Sequence, residues 1–434
     1  MYVDNLLVNQ SIEDVNSIEV FSRSIDKNIK IGIKKSLYNC LISISDSKIP
    51  WGILTGIRPV KIVHDLLDKN IATDEIIKVL TSEYKINVDK TNLIMDIAKQ
   101  QRDYIYPIDG KKYSLYISIP FCPTRCLYCS FPAVSIKGYE NYIKEYTSRL
   151  IYEIEEISKS MKEKKINTVY IGGGTPTAIP QIELEKIIES IHYEFGDKNI
   201  NEITVEAGRP DTITKEYLKM LNKNGIKRIS INPQTMNNDT LKLIGRQHRA
   251  EDIIKTYHLA KDIGFDVINM DLIIGLPNED LSDIENTLKE IKKLDPENLT
   301  VHTLSVKRGS RFKDTIDKYT LQSYDILDSM LNKTVEYSIE NGLYPYYLYR
   351  QKQILGNFEN VGYCKPELEC IYNIAMMEEK ETIMAVGMGA VSKIYSPKDN
   401  KIERVPNFKD LKEYLERIDE LIESKRLALD RIIL

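Results

Sequence analysis

From residue 111 onward the chain alternates short β-rich runs with amphipathic helical stretches. The runs are SLYISI (114–119), NTVYIG (167–172), EITVEA (202–207), KRISIN (227–232), DVINMDLII (266–274) and LTVHTL (299–304). They are apolar at both odd and even positions, as parallel strands buried on two faces must be. The clearest intervening helix places Ile143, Tyr146, Leu150, Ile154 and Ile157 three or four residues apart on one face. Similar patterns occupy about 181–194, 214–223, 250–263 and 281–294. This alternation predicts an α/β fold with a parallel sheet built from right-handed crossovers.

The flanks read differently. Before residue 111 a helix runs from Arg58 to about Leu67, after the turn-rich stretch KIPWGILTGIRP, and a second runs through roughly 73–103. Tyr106, Pro107, Asp109 and Gly110 then break the periodicity. Residues 313–434 carry mostly helical pattern plus a cluster of Tyr344, Tyr346, Tyr347 and Tyr349. The expected organisation is therefore an accessory domain at 1–110, a strand–helix domain at 111–312 and a mostly helical region at 313–434. Six strand–helix units fit either an open doubly wound sheet or a barrel. The unusual residues favour a partial (β/α)6 TIM-like barrel, because they sit at the carboxyl ends of several strands, where barrels gather their chemistry. A dinucleotide fold would concentrate its signature as GxGxxG in the first turn, and that is missing.

Composition narrows the class. The 434 residues include 60 Lys and Arg against 64 Asp and Glu, a net charge of −4, and 42% are hydrophobic. That balance lacks the basic footprint of a nucleic-acid binder. No run approaches the ~18 apolar residues of a membrane span, so no stable membrane anchor is expected. The opening MYVDNLLVNQ has Asp4 where a leader needs positive charge. The expectation is a cytoplasmic protein.

Six cysteines fall at 40, 122, 126, 129, 364 and 370. A protein of this kind needs no disulfides, so the tight trio draws attention. It reads Cys122-Pro-Thr-Arg-Cys126-Leu-Tyr-Cys129 in a proline-flanked loop. A structural zinc needs a fourth ligand close by, and the next His or Cys is His192. Three thiolates on a four-iron cluster instead leave one iron open to a further ligand. Three buried thiols packing as small hydrophobes, or a partial zinc site, are the bland alternatives.

The spacing C-x3-C-x2-C, with aromatic Tyr128 before the last cysteine, resembles the radical S-adenosylmethionine (SAM) superfamily. IGGGTPT (171–177) is similar to its glycine-rich motif after the second strand. Within the superfamily the chain most resembles oxygen-independent coproporphyrinogen III oxidases (dehydrogenases) of the HemZ-type branch. Residues 116–122, VEAGRPD (205–211), RISINPQTMNNDTLKLIGRQH (228–248), MDLIIGLPNE (270–279), GYCKPELECIYN (362–373) and VGMGAVS (386–392) follow that family's order, and WGILTGIRP (51–59) fits the branch. The resemblance implies a 4Fe–4S cluster on Cys122, Cys126 and Cys129, with SAM chelating its free iron. It implies that Tyr116, Tyr128, Gly173, Gly174, Thr175, Glu206, Arg246 and Asp271 line the SAM site, and that Gln234 serves a second SAM. Singly, Glu206 and Asp271 also read as structural carboxylates, Arg246 as a solvated residue and Gln234 as a turn residue.

The implied reaction is oxidative decarboxylation of coproporphyrinogen III propionates to vinyl groups, giving protoporphyrinogen IX for haem synthesis. A 5′-deoxyadenosyl radical from SAM would remove the hydrogen. A low-potential donor such as ferredoxin or flavodoxin and an anaerobic or microaerobic setting are implied too. Two departures stand out: Lys307-Arg308-Gly309-Ser310 replaces E-P-G-T, and Tyr372-Asn373 replaces an H-N pair. A basic rim suits a tetra-anionic porphyrinogen, although such loops are usually just solvated. The alternatives are a haem-binding chaperone and a radical enzyme that opens or methylates the haem ring.

Overall fold

The computed structural model describes residues 2–3, 6–7, 10–13, 25–44, 49–56, 58–196 and 200–433. Asp4 of the opening segment and Ile57 of the WGILTGIRP motif lie outside these residues. Two compact units emerge: Met1–Asp103 with Leu348–Arg350, and Tyr104–Tyr347 with Gln351–Leu434.

The first unit contains α1 (Ile25–Ile42), α2 (Val60–Leu67), α3 (Thr73–Lys78) and most of α4 (Val88–Ile105). Val60, Val63, Ile76, Leu80, Ile94 and Ile97 form its core. Trp51 is fully buried, with the Arg350 guanidinium 5.0 Å over its ring and donating to the Leu54 carbonyl at 2.8 Å. The single helix expected over 73–103 is two. The chain widens into a π-turn at Val79–Glu83, Lys85 adopts φ +58°, and α4 restarts after Asn87, whose side chain accepts the Lys90 amide at 2.8 Å. A cap of this kind satisfies an orphan N–H of the new helix.

In the second unit β1 (Lys112–Ile119), β2 (Lys165–Gly173), β3 (Glu202–Gly208), β4 (Arg228–Ile231), β5 (Val267–Ile274) and β6 (Asn298–Thr303) lie side by side in chain order, all parallel. The crossovers carry α5 (Ile143–Ser160), α6 (Gln181–Phe195), α7 (Lys215–Lys223), α8 (Asn238–Leu243), α9 (Ala250–Ile263) and α10 (Leu281–Leu294). Ile143, Tyr146, Leu150, Ile154 and Ile157 are the buried stripe of α5. The sheet is a partial (β/α)6 barrel whose parallel strands present all their carboxyl ends to one side.

The region after residue 312 holds more strand than its helical pattern suggested. Alongside α11 (Arg311–Asp314, which begins just before it), α12 (Tyr324–Glu340), α13 (Ile371–Glu378), α14 (Leu411–Glu416) and α15 (Ile418–Ile433) it contributes β7 (Tyr344–Tyr349), β8 (Asn360–Cys364), β9 (Thr382–Val386), β10 (Val391–Ser396) and β11 (Lys401–Pro406). The full order is β7-β8-β6-β5-β4-β3-β2-β1-β9-β10-β11, an open sheet. β8 runs antiparallel to β6, whereas β9 runs parallel to β1. Strands β8 and β9 are buried at every position, so they lack the period-two alternation that marks a strand in sequence.

A buried carboxylate ties this C-terminal addition to the barrel. Glu153 on α5 receives Lys425 Nζ from α15 at 2.5 Å, Asn407 Nδ2 at 2.9 Å, Tyr414 Oη at 2.8 Å and the Gly387 amide at 2.8 Å. Lys425 also donates to the Ala385 carbonyl at 2.6 Å. Both charged side chains are 0% exposed. Removing one partner of a buried, fully bonded pair typically costs about 3–5 kcal/mol, while replacing both by apolar groups is near neutral. Lys425→Met is therefore expected to lower the urea unfolding midpoint by an amount equal to about 3–5 kcal/mol. Adding Glu153→Leu should recover part of that loss, and an unchanged midpoint in the single variant would refute the role given to the pair.

Candidate functional site

The thiol loop follows directly from β1. Cys122 stands three residues past Ile119, and its Sγ lies 3.5 Å from Thr175 Oγ1. The turn after β2 grips this start from the side: the Gly174 amide donates to the Ile119 carbonyl at 2.7 Å and the Thr175 amide to Phe121 at 2.8 Å. Further along, the Leu127 amide donates to Ile244 at 2.9 Å, Thr124 Oγ1 to Gly245 at 2.9 Å, and the Phe312 amide to Leu127 at 3.0 Å. The turn after β2, the end of α8 and the start of α11 thus hold the loop, mostly by backbone bonds.

Two glycines explain the G-G-G run. A Cβ on Gly174 would stand 2.9 Å from Cys122 Sγ and 2.7 Å from the Phe121 carbonyl. A Cβ on Gly172 would stand 2.9 Å from Glu206 Oε2. Side chains there would fill the space beside the thiol and beside the carboxylate.

Burial pushes the Cys122 thiol up to about 11, and it raises Cys129 as well. Neutral thiols bind metal poorly, and binding must drive out their protons. Among the described residues no three His, Cys, Asp or Glu side chains gather at the spacing of a single ion. A cluster, in which each thiolate takes its own iron, asks for wider separation than a zinc. The donor set itself suits three-point attachment of a cluster: three thiols on one loop, with Cys126 and Cys129 near enough to Cys122 to act on its charge.

Inside the barrel Glu206 accepts the Tyr170 hydroxyl at 2.5 Å. Burial raises its carboxyl to about 7; the Tyr170 bond lowers it and Asp271 raises it. Asp271 on β5 accepts Asn269 Nδ2 at 2.7 Å and lies 3.8 Å from His302 Nε2. Tyr116 stacks near Tyr170 and Tyr372, with ring centroids 6.3 and 6.2 Å away, and Tyr170 and Tyr372 approach to 4.4 Å. Gln234, at φ +67°, joins the sheet by its backbone: its amide donates to Asp271 at 2.8 Å and its carbonyl accepts from Ile273 at 2.9 Å.

Arg246 is buried, donating through Nη1 to the Asn232 carbonyl at 2.5 Å and lying 3.4 Å from Tyr128 Oη. Its Nε, Asn232 Oδ1 and the Tyr372 hydroxyl are buried with no hydrogen-bond partner among the described residues. Orphaned buried polar atoms are costly in native proteins, and the pair from Arg246 and Asn232, which meet past the carboxyl end of β4, suits a polar ligand.

Of the residues that sequence reasoning named, Tyr116, Gly173, Glu206 and Asp271 lie in strands, Gly174 and Thr175 just after β2, Gln234 after β4, Tyr128 in the thiol loop and Arg246 after α8. That reasoning missed Tyr170 and Arg209. Arg209 holds Asp211 in two bonds of 3.0 and 2.8 Å and donates to Thr124 Oγ1 at 2.8 Å. Burial favours a neutral Asp211, but the bonds from His248 and Arg209 outweigh it and hold the carboxyl below its usual range. VEAGRPD already contained Arg209; its contact with the thiol loop is what only the fold reveals.

Of the C-terminal tyrosines, Tyr346 and Tyr347 are buried in the core, Tyr349 is half-buried and Tyr344 is exposed; Tyr346 Oη accepts Asn373 Nδ2 at 3.1 Å. Cys364 and Cys370 lie at the amino ends of the strands, Cys364 opposite Asn298 and Cys370 bonded to Glu202 at 3.2 Å. A cavity of about 840 Å³ opens at that same end, lined by Glu202, Arg228 and Val267. It is remote from the thiol loop.

The Radical SAM superfamily profile matches residues 116–291. The chain is 44% identical over 411 residues to the oxygen-independent coproporphyrinogen-III oxidase-like protein HemZ of Bacillus subtilis, covering 94% of this chain and 82% of that one. It is 30% identical over 296 residues to the heme chaperone HemW of Buchnera aphidicola subsp. Schizaphis graminum, covering 68% and 73%. The coproporphyrinogen III oxidase HemN from Escherichia coli, a radical SAM enzyme, shares the fold with a TM-score of 0.57 at 23% identity, over 74% of this chain and 72% of that one. Chain length, order of motifs and fold agree: the chain belongs to the radical SAM enzymes, in the oxygen-independent coproporphyrinogen III oxidase-like family that includes HemZ, and its cofactors are a 4Fe–4S cluster and SAM.

Proposed function

We infer that the protein oxidatively decarboxylates coproporphyrinogen III propionates to vinyl groups, yielding protoporphyrinogen IX in the cytoplasm. The observation that carries this reading is the near full-length kinship with HemZ, 94% of this chain at 44% identity. The cofactors, when bound, supply the one-electron chemistry that removes an unactivated hydrogen from a propionate carbon.

The chain's own residues bind and orient. Cys122, Cys126 and Cys129 hold the cluster, with Gly174 leaving room beside Cys122. Glu206 and Asp271 would line the site of the cationic SAM with carboxylates, and Tyr116, Tyr128, Gly173, Thr175 and Arg246 would shape the same site. Gln234 serves a second SAM. Lys307, Arg308 and Arg311 stand after β6 beside the thiol loop: Arg125 Nη2 donates to the Gly309 carbonyl at 2.8 Å, and Arg311 bonds the Arg125 carbonyl. These cations suit the propionate carboxylates. No helix of the described residues is long and apolar enough to cross a membrane.

A second reading has its own support, the 30% identity to HemW, named a heme chaperone. One assay separates the two. Anaerobically reconstituted protein with SAM, dithionite and coproporphyrinogen III should release 5′-deoxyadenosine and protoporphyrinogen IX. Tight haem binding with neither product would favour the chaperone. Deoxyadenosine formed only with haem would favour a ring-opening or methylating enzyme. Cys126→Ala should abolish SAM cleavage with an unchanged circular dichroism spectrum, and persisting cleavage would sink the cluster assignment.

Glu206 makes SAM binding pH-dependent. With its carboxyl raised to about 7, the free protein holds a proton there below neutrality, and the cationic ligand favours the carboxylate. SAM affinity is therefore expected to fall as pH drops from 8 to 6, approaching tenfold per unit, with proton release seen by calorimetry in buffers of different ionisation enthalpy. Tyr170→Phe removes a bond that lowers Glu206, so the midpoint should move to higher pH, and Glu206→Gln should flatten the profile. A flat wild-type profile would exclude the role.

A further inference from the structure

We propose that the groove beside Cys129 is the docking site of a small acidic, low-potential electron-transfer protein. The inference rests on the radical SAM reading, because an electron must reach the cluster from outside. Electron transfer between proteins falls steeply with distance, so the donor must seat where the cluster approaches the surface.

The thiol loop leads straight to such a surface. Phe131 is two residues beyond Cys129, so their Cα atoms are within about 7 Å, and Phe131 is 64% exposed. Tyr139 and Tyr142, exposed by 38% and 45%, stand with ring centroids 6.0 Å apart on the same segment. Together these aromatics line a groove of about 360 Å³ whose cations are Arg125, Lys409 and Lys412. Pro132 fixes its floor against Gly389, where a Cβ would stand 2.9 Å from the proline ring.

The charge pattern selects the partner. The whole chain is net negative at −4, yet the groove gathers three cations. Its carboxylate, Asp410, is committed to capping α14, accepting the Lys412 and Glu413 amides at 2.9 and 3.1 Å. Lys412 has an exposed neighbour, Glu416, at 3.8 Å, a weak surface pair. Exposed aromatics ringed by cations match a transient interface with an acidic surface.

The test uses the reconstituted holoenzyme, reduced flavodoxin as probe and the double variant Lys409→Glu with Lys412→Glu. Flavodoxin-driven SAM cleavage should fall at least about tenfold, its rate in wild type dropping with added salt. Dithionite-driven cleavage should be unchanged. Calorimetric flavodoxin binding at low salt should weaken in parallel. Equal loss with both reductants, or no loss with flavodoxin, overturns the proposal. So does weakened coproporphyrin III binding with intact flavodoxin binding, which would make the groove a substrate rim. If wild type fails to cleave SAM even with dithionite, the radical SAM reading fails, while flavodoxin binding still decides the groove.

Discussion

The Glu153 carboxylate is the constraint on which the rest of the second unit depends. A charge taken out of water is tolerated only when its lone pairs and its counter-ion are met within the fold. Here the Lys425 ammonium, an amide, a phenol and a carboxamide meet it at once, and each belongs to a segment past residue 386. The same helix supplies Tyr146, whose hydroxyl donates to the Ser118 carbonyl at 2.6 Å and accepts the Met388 amide at 3.0 Å. Ser118 returns a bond to Met388 at 2.9 Å. Strand β1 is thereby clamped on the side where β9 pairs with it, just before it releases the thiol loop.

Held from that side, β1 meets β2 on the other, and the site forms between backbones rather than between charged side chains. The loop's bonds to Ile119, Phe121, Ile244, Gly245 and Phe312 are mostly main-chain, and the thiols carry little of the positioning, Cys122 meeting only the Thr175 hydroxyl and Cys129 the Phe131 backbone. Side-chain charges enter one layer out, through Arg209 and Asp211, and below, through Glu206 and Asp271. Such layering lets the thiols lose their protons to metal without disturbing the bonds that position them.

What was legible in sequence follows from this division. Parallel strands with amphipathic crossovers announce themselves through local periodicity, and all six expected runs became neighbouring strands in order. The cysteine spacing is local as well. The strands after residue 343 were hidden because β9 and β8 are buried throughout and show no alternation. The break at Lys85 was hidden because it depends on a positive φ rather than on a glycine or proline. Arg209 and Tyr170 were in view as residues, yet their roles depend on neighbours such as Thr124 and Glu206, distant in the chain and brought together only by the crossovers.

The phenol of Tyr372 helps to set the surroundings of Glu206. Burial pushes the Tyr372 phenol well above its usual range. Its ring packs at 4.4 Å on Tyr170, which bonds Glu206. The floor of the barrel is thus an aromatic stack that keeps its protons, and the exchangeable proton moves to Glu206, raised to about 7. A carboxyl poised near neutrality in a buried site responds to an arriving positive charge by releasing a proton. The aromatic floor also limits water around Glu206, and the same burial that raises its pKa strengthens its attraction for a cation.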